Sequence, residues 1–176
     1  MTYLLNVFMS VSKIELDRFQ INPHPTDLRL LLDDIIEDLL YKIKKKRITL
    51  KKQFDIDLPI IDIDSELLRI VFQNLIANAV NYTPNKGTVT VAVEKRDDEL
   101  VFFVRDTGWG IPEKDQNRLF TKLYRSDRTK KVNSEGSGLG LYITKSILDK
   151  CGYNIWFESK ENEGTVFYVS IPLTVD

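Results

Sequence analysis

Apolar residues recur along this chain with a period of three to four in some stretches and two in others, and each change of period marks an element. Leu4, Leu5, Phe8, Val11 and Ile14 give Tyr3 to Leu16 one apolar helical side, with no neighbouring segment placed to cover it. That stretch reads as the end of a longer helical element; a short helix packed back on the domain has the same spacing. Arg18 to Ile21 reads as a strand, ended by Asn22-Pro23-His24-Pro25. Thr26 suits an N-cap with Asp27 in the first turn, and Leu28, Leu31, Leu32, Ile35, Leu39 and Ile43 continue at helical steps. Ile48 to Phe54 predicts a strand, and Leu58 to Asp62 a short extended link. Asp64 caps a second helix that runs to about Tyr82 and closes at Thr83-Pro84-Asn85-Lys86-Gly87.

Val89, Val91 and Val93 alternate, as for a half-covered strand, whereas Leu100 to Val104 is continuously apolar, as for a buried central one. Asp106 to Ser137 is a long polar connection with a short helical piece at about Glu113 to Phe120. Connections of that length inside a compact domain are usually functional lids or inserts. A third helix starts near Ser137 and ends at Cys151-Gly152, and Ile155 to Glu158 with Thr165 to Ile171 makes a closing hairpin. The order predicts an α+β two-layer sandwich: one mixed sheet of about five strands, three main helices on one face, and a helical stub. Residues 1–17 form the stub and 18–176 the domain, with a lid at about 111–137.

The totals narrow the classes. A chain of 176 residues can bury one good core, and 43% apolar content with mean hydropathy −0.21 suits a globular protein in water. The formal charge of −1 gives no global attraction to nucleic acid. Lys42, Lys44, Lys45, Lys46, Arg47, Lys51 and Lys52 crowd one segment, a solvated helix end or a docking surface. The single cysteine, Cys151, excludes an internal disulfide, fits a reducing compartment and continues the apolar spacing of Ile143 and Ile147. No signal peptide or membrane span is evident, so a cytoplasmic location is expected; a longer parent could still carry a membrane anchor.

Candidate chemistry lies in four pieces. Asn74, Asn78 and Asn81 sit at i, i+4 and i+7 of the second helix and share a face. Asparagine is a mediocre helix former, so three together are a local inconsistency. Their amide oxygens suit Mg²⁺ alongside phosphates; a solvent-facing polar stripe fits the same pattern. Asp106 ends the apolar strand before Thr107-Gly108-Trp109-Gly110. Aimed at a purine, its carboxylate would accept hydrogens from an adenine amine and repel the oxygen that guanine presents there; a capped β-turn is the plainer reading. Gly136-Ser137-Gly138-Leu139-Gly140 opens the third helix, where backbone N–H groups and the helix dipole favour phosphate. It is neither a dinucleotide fingerprint nor a P-loop, and alone it is a weak signal. The lid holds Lys122, Arg125, Arg128, Lys130 and Lys131, with Arg125 after the apolar Leu119, Phe120, Leu123 and Tyr124. A guanidinium there suits a terminal phosphate; a solvated basic loop has the same composition.

With Gly164-Thr165, these pieces resemble the catalytic, ATP-binding domain of sensor histidine kinases, in the superfamily shared with DNA gyrase, MutL proteins and the ATP-dependent heat-shock chaperones. Gln73 to Thr83 is similar to the N box, Asp106 to Pro112 to the G1 box, Leu119 to Asp127 to the F box and Gly136 to Leu141 to the G2 box. The resemblance implies a Bergerat-type sandwich holding ATP and Mg²⁺, with Asp106 on the adenine amine and Asn78 on the metal. Asn78 and Arg125 would be the catalytic groups, and Arg125 would meet the terminal phosphate. Asn74 would support the phosphates, and Tyr82 would lie near the base or ribose. Asn81, Gly108, Gly110, Ile111, Leu119, Phe120, Tyr124, Gly136, Ser137, Gly138, Leu139, Gly140, Leu141 and Thr165 complete the implied ATP-binding set.

The same resemblance makes residues 1–17 the end of a dimerisation and histidine-phosphotransfer hairpin. It implies phosphoryl transfer to a histidine on that hairpin, homodimerisation of the parent and a response regulator downstream. Three positions depart from the pattern. Asn81 stands where a cation is frequent, and Leu123 where phenylalanine is commoner. His24, the only histidine, lies between prolines rather than on a helix. An ATP-hydrolysing relative of gyrase or MutL type would carry a glutamate where this chain has Asn74, an amide that cannot act as a base. A binding-only member of the superfamily is the third reading, and anti-sigma kinases share the fold.

Overall fold

A computed structural model describes residues 20–124 and 138–173. The expected stub, together with Arg125, Gly136, Ser137 and the rest of the lid from 125 to 137, lies outside the described residues. Strand β1 (His24–Thr26) leads into helix α1 (Leu28–Lys45), β2 (Thr49–Phe54), β3 (Ile61–Ile63) and helix α2 (Ser65–Tyr82). Strands β4 (Thr88–Arg96) and β5 (Glu99–Asp106) follow, then the short α3 (Glu113–Gln116), α4 (Gly140–Cys151), β6 (Asn154–Lys160) and β7 (Gly164–Pro172).

Five strands form the main sheet in the order β2-β4-β5-β7-β6, with β2 parallel to β4 and the other pairs antiparallel. Alternation decides which residues face the helices. Val89, Val91 and Val93 of β4, Leu100, Phe102 and Val104 of β5, and Phe167, Val169 and Ile171 of β7 enter the core with the apolar stripes of α1, α2 and α4. Phe72 of α2 packs on Phe102 with ring centroids 4.4 Å apart. On the opposite face Phe103, Tyr168 and Trp156 form a row of aromatic contacts across three strands. The α+β two-layer sandwich expected from the pattern is the fold observed, and the continuously apolar 100–104 run is the centre of the sheet.

Three local expectations are corrected. Gln20 and Ile21 are not in a strand; β1 lies later, on His24-Pro25-Thr26, and pairs antiparallel with β3. Proline is tolerated there because a two-stranded edge does not need its missing N–H. The link expected over 58–62 contributes that partner strand. The cap of α1 is Asp27, whose Oδ1 accepts from Arg29 N at 2.8 Å and Leu30 N at 3.3 Å. Thr26 is buried instead, its hydroxyl donating to His24 O at 2.8 Å. A charged oxygen that serves two of the first-turn N–H groups outcompetes a hydroxyl. Finally, α3 ends at Gln116, and turns carry the chain on to Phe120.

Cys151 is half-buried against the core, and burial pushes its thiol up to about 11, which keeps it unreactive. The basic segment ends α1 and continues along the sheet-edge strand β2, where Lys52 pairs with Asp33 at 2.8 Å. His24 is an exposed strand residue, with Nε2 2.8 Å from Ser65 Oγ.

Candidate functional site

Helix α2 supplies one wall. Asn74, Asn78 and Tyr82 follow one another at i, i+4 and i+8 and so line one strip of the helix. The strip is anchored at both ends. Asn74, 7% exposed, donates from Nδ2 to Oγ1 of Thr144 on α4 at 2.8 Å. At the other end, Tyr82 O would lie 2.6 Å from a Cβ placed on Gly108. Asn78 lies between them on the same strip of the helix. It is half-buried and has no hydrogen-bond partner among the described residues. Asn81 is also half-buried; its carbonyl and that of Val80 each accept from Lys46 Nζ at 2.8 Å. Burial lowers the Lys46 pKa, with Lys42 nearby adding to the effect. The lysine closes the carbonyl end of α2 and so fixes the position of the asparagine strip.

The second wall is the turn after β5. Asp106 is 7% exposed at the end of the central strand, opposite Thr165 on β7. Burial pushes its carboxyl up to about 6, against the backbone hydrogen bonds from Gly108 and Thr165 that favour the charged form. The Gly108 bond is 2.8 Å to Oδ1. Gly110 has φ 63°, and a Cβ there would sit 2.0 Å from Lys160 O; Gly164 has φ 117°, and a Cβ there would sit 2.1 Å from Asp106 O. Both positions admit only glycine, because backbone occupies the space a side chain would need.

Ser159 on β6 holds this turn to the closing hairpin. Its Oγ accepts from Ile111 N at 2.8 Å, donates to Gly164 O at 3.1 Å and lies 2.9 Å from Thr165 Oγ1. Gln116 adds bonds to Ile111 O and Ser159 O at 3.0 and 3.2 Å. The sequence reading missed Ser159, Lys46 and Thr144. A lone hairpin serine and a lysine within a basic run carry no local signal. Thr144, one turn beyond Gly140, could have been found from its i+4 spacing.

The third wall is the start of α4. Gly138, Leu139 and Gly140 precede or open the helix, and Leu139 and Leu141 pack at the margin of the core. Asp27 and Asp64 cap α1 and α2 with side-chain hydrogen bonds, whereas the cap residue of α4, Leu139, contributes no side-chain cap bond. The described part of the lid is an apolar shoulder. Leu119 and Phe120 pack against the core, Phe120 meets Phe157 edge-on at 6.0 Å, and Tyr124 Oη donates to Asp115 Oδ1 at 2.6 Å. Arg118 lies 4.6 Å over the Tyr124 ring.

The turn after β5 thus meets α2 where Gly108 lies against Tyr82, and α4 meets it where Gly140 lies against Asn74, with Asn78 on the helix between the two contacts. Among the described residues no group of three or more His, Cys, Asp or Glu could hold a metal by itself. A lone amide oxygen suits Mg²⁺ where phosphates and water complete the shell, because that ion takes few protein oxygens. Asp64 and Glu66 are at the far end of α2, about 18–21 Å along the helix axis from Asn78, out of reach as a base.

This fold and site define an ATPase-type module of one superfamily. The chain belongs to the histidine kinase-, DNA gyrase B- and HSP90-like ATPase family, whose sequence model matches residues 63–175. Its relatives are sensor histidine kinases. Adaptive-response sensory kinase SasA of Rippkaea orientalis is 34% identical over 98% of this chain and 44% of that protein. Signal transduction histidine-protein kinase BarA of Escherichia coli is 32% identical over 98% of this chain and 19% of that protein. The chain thus spans less than half of either. Among solved structures, full-length ShkA in complex with AMPPNP matches 98% of this chain and 36% of that one, with TM-score 0.84 and 24% identity. The catalytic domain of histidine kinase ThkA matches 88% of this chain and 97% of that one, with TM-score 0.73 and 26% identity. ThkA in complex with response regulator TrrA matches 97% and 48%, with TM-score 0.75 and 24% identity. Among the described residues no helix is long and apolar enough to cross a membrane.

Proposed function

We propose that this domain binds ATP with Mg²⁺ and delivers the γ-phosphoryl group to a histidine on a dimerisation hairpin of its parent protein. The observation that supports the reading is the buried carboxylate of Asp106, whose Gly108 turn lies against Tyr82 at one end of α2 while α4 lies against Asn74 one turn before Asn78. Asp106 accepts the adenine N6 hydrogens, and Thr165, Ile111 and Tyr82 border the base. Asn78 contributes an oxygen to Mg²⁺, which supplies charge neutralisation at the phosphates when bound. The first N–H groups of α4 receive phosphate oxygens. Arg125, which follows Tyr124 in the chain and lies outside the described residues, is assigned to charge on the transferred group.

Nothing on this chain has to form a covalent bond: catalysis is positioning plus charge neutralisation, and the nucleophile arrives on the hairpin. Residues 1–17, outside the described residues, are assigned to that hairpin by the resemblance alone, with a homodimeric parent and a response regulator that takes the phosphoryl group onward. The ThkA–TrrA complex supports this last partner. Use of ATP by a signalling parent of this kind fits a cytoplasmic position. An ATP-hydrolysing role is disfavoured because residue 74, where a water-activating glutamate would stand, is an amide engaged with Thr144. A binding-only role is favoured by Asn81 alone.

The test mixes this chain with a separately expressed hairpin of its parent and γ-labelled ATP. Acid-labile, base-stable label on the hairpin histidine is expected. Tight Mg²⁺–ATP binding without labelled histidine would leave the binding-only reading, and rapid hydrolysis without the hairpin would favour the ATPase reading.

A further inference from the structure

Helices α2 and α4 are joined on the phosphate side of the gap by one buried polar pair. Asn74 donates from Nδ2 to Oγ1 of Thr144, itself fully buried, at 2.8 Å. Its Oδ1 lies against Gly140, where an added Cβ would come within 2.3 Å of it. Gly140 and Thr144 are one helical turn apart, so a single side chain touches α4 at two successive turns. An amide buried and engaged in this way holds a helix in place.

Its importance follows from how the three long helices begin. Asp27 and Asp64 set the starts of α1 and α2 by local capping, whereas at α4 the cap position is Leu139, which forms no such bond. Asn74 of α2 reaches the first turn of α4 at Gly140 and the next at Thr144. Asn78, the amide assigned to the metal, is one turn from Asn74 on that same helix.

We propose that Asn74 and Thr144 are a positioning pair that fixes the phosphate-binding start of α4 relative to Asn78, so that recognition of the triphosphate depends on two side chains that do not touch it. This rests on the ATP reading above and changes one part of it: Asn74 acts through α4 rather than as a phosphate ligand. The adenine end, held by Asp106 and the closing hairpin, is independent of the pair.

The experiment measures affinity for Mg²⁺–ATP and for adenosine, by competition with a fluorescent ATP analogue, together with thermal unfolding. It compares the wild type, Thr144→Val, Thr144→Ser and the double variant Asn74→Ala/Thr144→Val. Thr144→Val keeps the shape but leaves a buried donor unpaired, and is expected to weaken ATP about 10-fold with adenosine unchanged. Thr144→Ser restores the acceptor and ATP affinity. The double variant leaves no orphaned donor, so it stays folded even if Thr144→Val does not, and it still binds ATP weakly. A folded double variant with wild-type ATP affinity would overturn the proposal. So would an equal loss for ATP and adenosine, which signals general loosening. A wild-type chain that fails to bind ATP at all would instead remove the nucleotide reading on which the pair depends.

Discussion

Replacing Asp106 by asparagine separates what this residue does for the fold from what it does for the ligand. The carboxyl is 7% exposed, and burial raises its pKa from an ordinary 3.8 to about 6. A rise of that size corresponds to ~3 kcal/mol against the ionised form at neutral pH. Because the folded-state value lies above the unfolded one, the stabilisation belongs to the protonated form. It is fully present below pH 3.8 and lost as pH rises through about 6. Asparagine keeps an oxygen for Gly108 N and carries no charge. The nucleotide-free variant should therefore be more stable than wild type at pH 8 by ~2 kcal/mol, or ~4–8 °C for a chain of this length. The margin should close as pH falls through 6 and vanish near pH 4. Nucleotide responds in the opposite direction. The variant loses a charge-assisted hydrogen bond to the adenine amine, worth ~1.5–3 kcal/mol, so ATP should bind roughly 10- to 100-fold more weakly. Wild-type affinity should fall by up to ~10-fold per pH unit below 6, because adenine selects the ionised carboxyl. The assay is thermal unfolding at pH 8, 7, 6 and 5 with and without Mg²⁺–ATP. A variant less stable than wild type at pH 8, or a margin that does not change with pH, would refute the reasoning.

Three further substitutions probe the other walls. Asn78→Ala removes a half-buried amide with no partner among the described residues. Unfolding without nucleotide should shift by less than ~0.5 kcal/mol, while the gain in ATP affinity on replacing EDTA by Mg²⁺ should disappear in a binding titration. Gly164→Ala forces a Cβ to 2.1 Å from Asp106 O at φ 117°; denaturant unfolding should show a loss of ~3 kcal/mol or more, since backbone blocks relaxation. Ser159→Ala removes the acceptor of Ile111 N and the links to Gly164 and Thr165. It should cost ~1–3 kcal/mol, with amide exchange at Ile111 accelerating more than exchange in the centre of β5.

The layers were legible because each long element keeps its period over many residues. The stripes of α1 and α2 enter the core as the spacing predicts, and unbroken apolarity at 100–104 marks the strand with neighbours on every side. The errors fall where two residues compete for one role. Thr26 and Asp27 both qualify as a cap; Asp27 takes the role with a carboxylate that serves two N–H groups, while Thr26 is paired with β3 and buried. The prolines at 23 and 25 read as a turn because the edge strand that accommodates them depends on a partner 39 residues away, His24 facing Ile63. The candidate site divides in the same way. Asp106, Asn78 and the glycines stand in short ordered boxes, where the chemistry of a ligand shapes a few consecutive residues. Asn74 belongs to such a box, yet its side chain is committed to Thr144, 70 residues on. Ser159 acts on Ile111 across 48 residues and lies in no box. Groups expected to meet the ligand were visible from spacing, but groups that hold those groups in place were not, since nothing near them in the chain reveals what they touch. One trace was present: two helices open on an aspartate and the third opens on Gly-Leu-Gly. A long helix whose cap residue has an apolar side chain leaves more of its positioning to neighbouring elements. That gap in local chemistry is the point where a sequence reading should look for a distant buried polar partner.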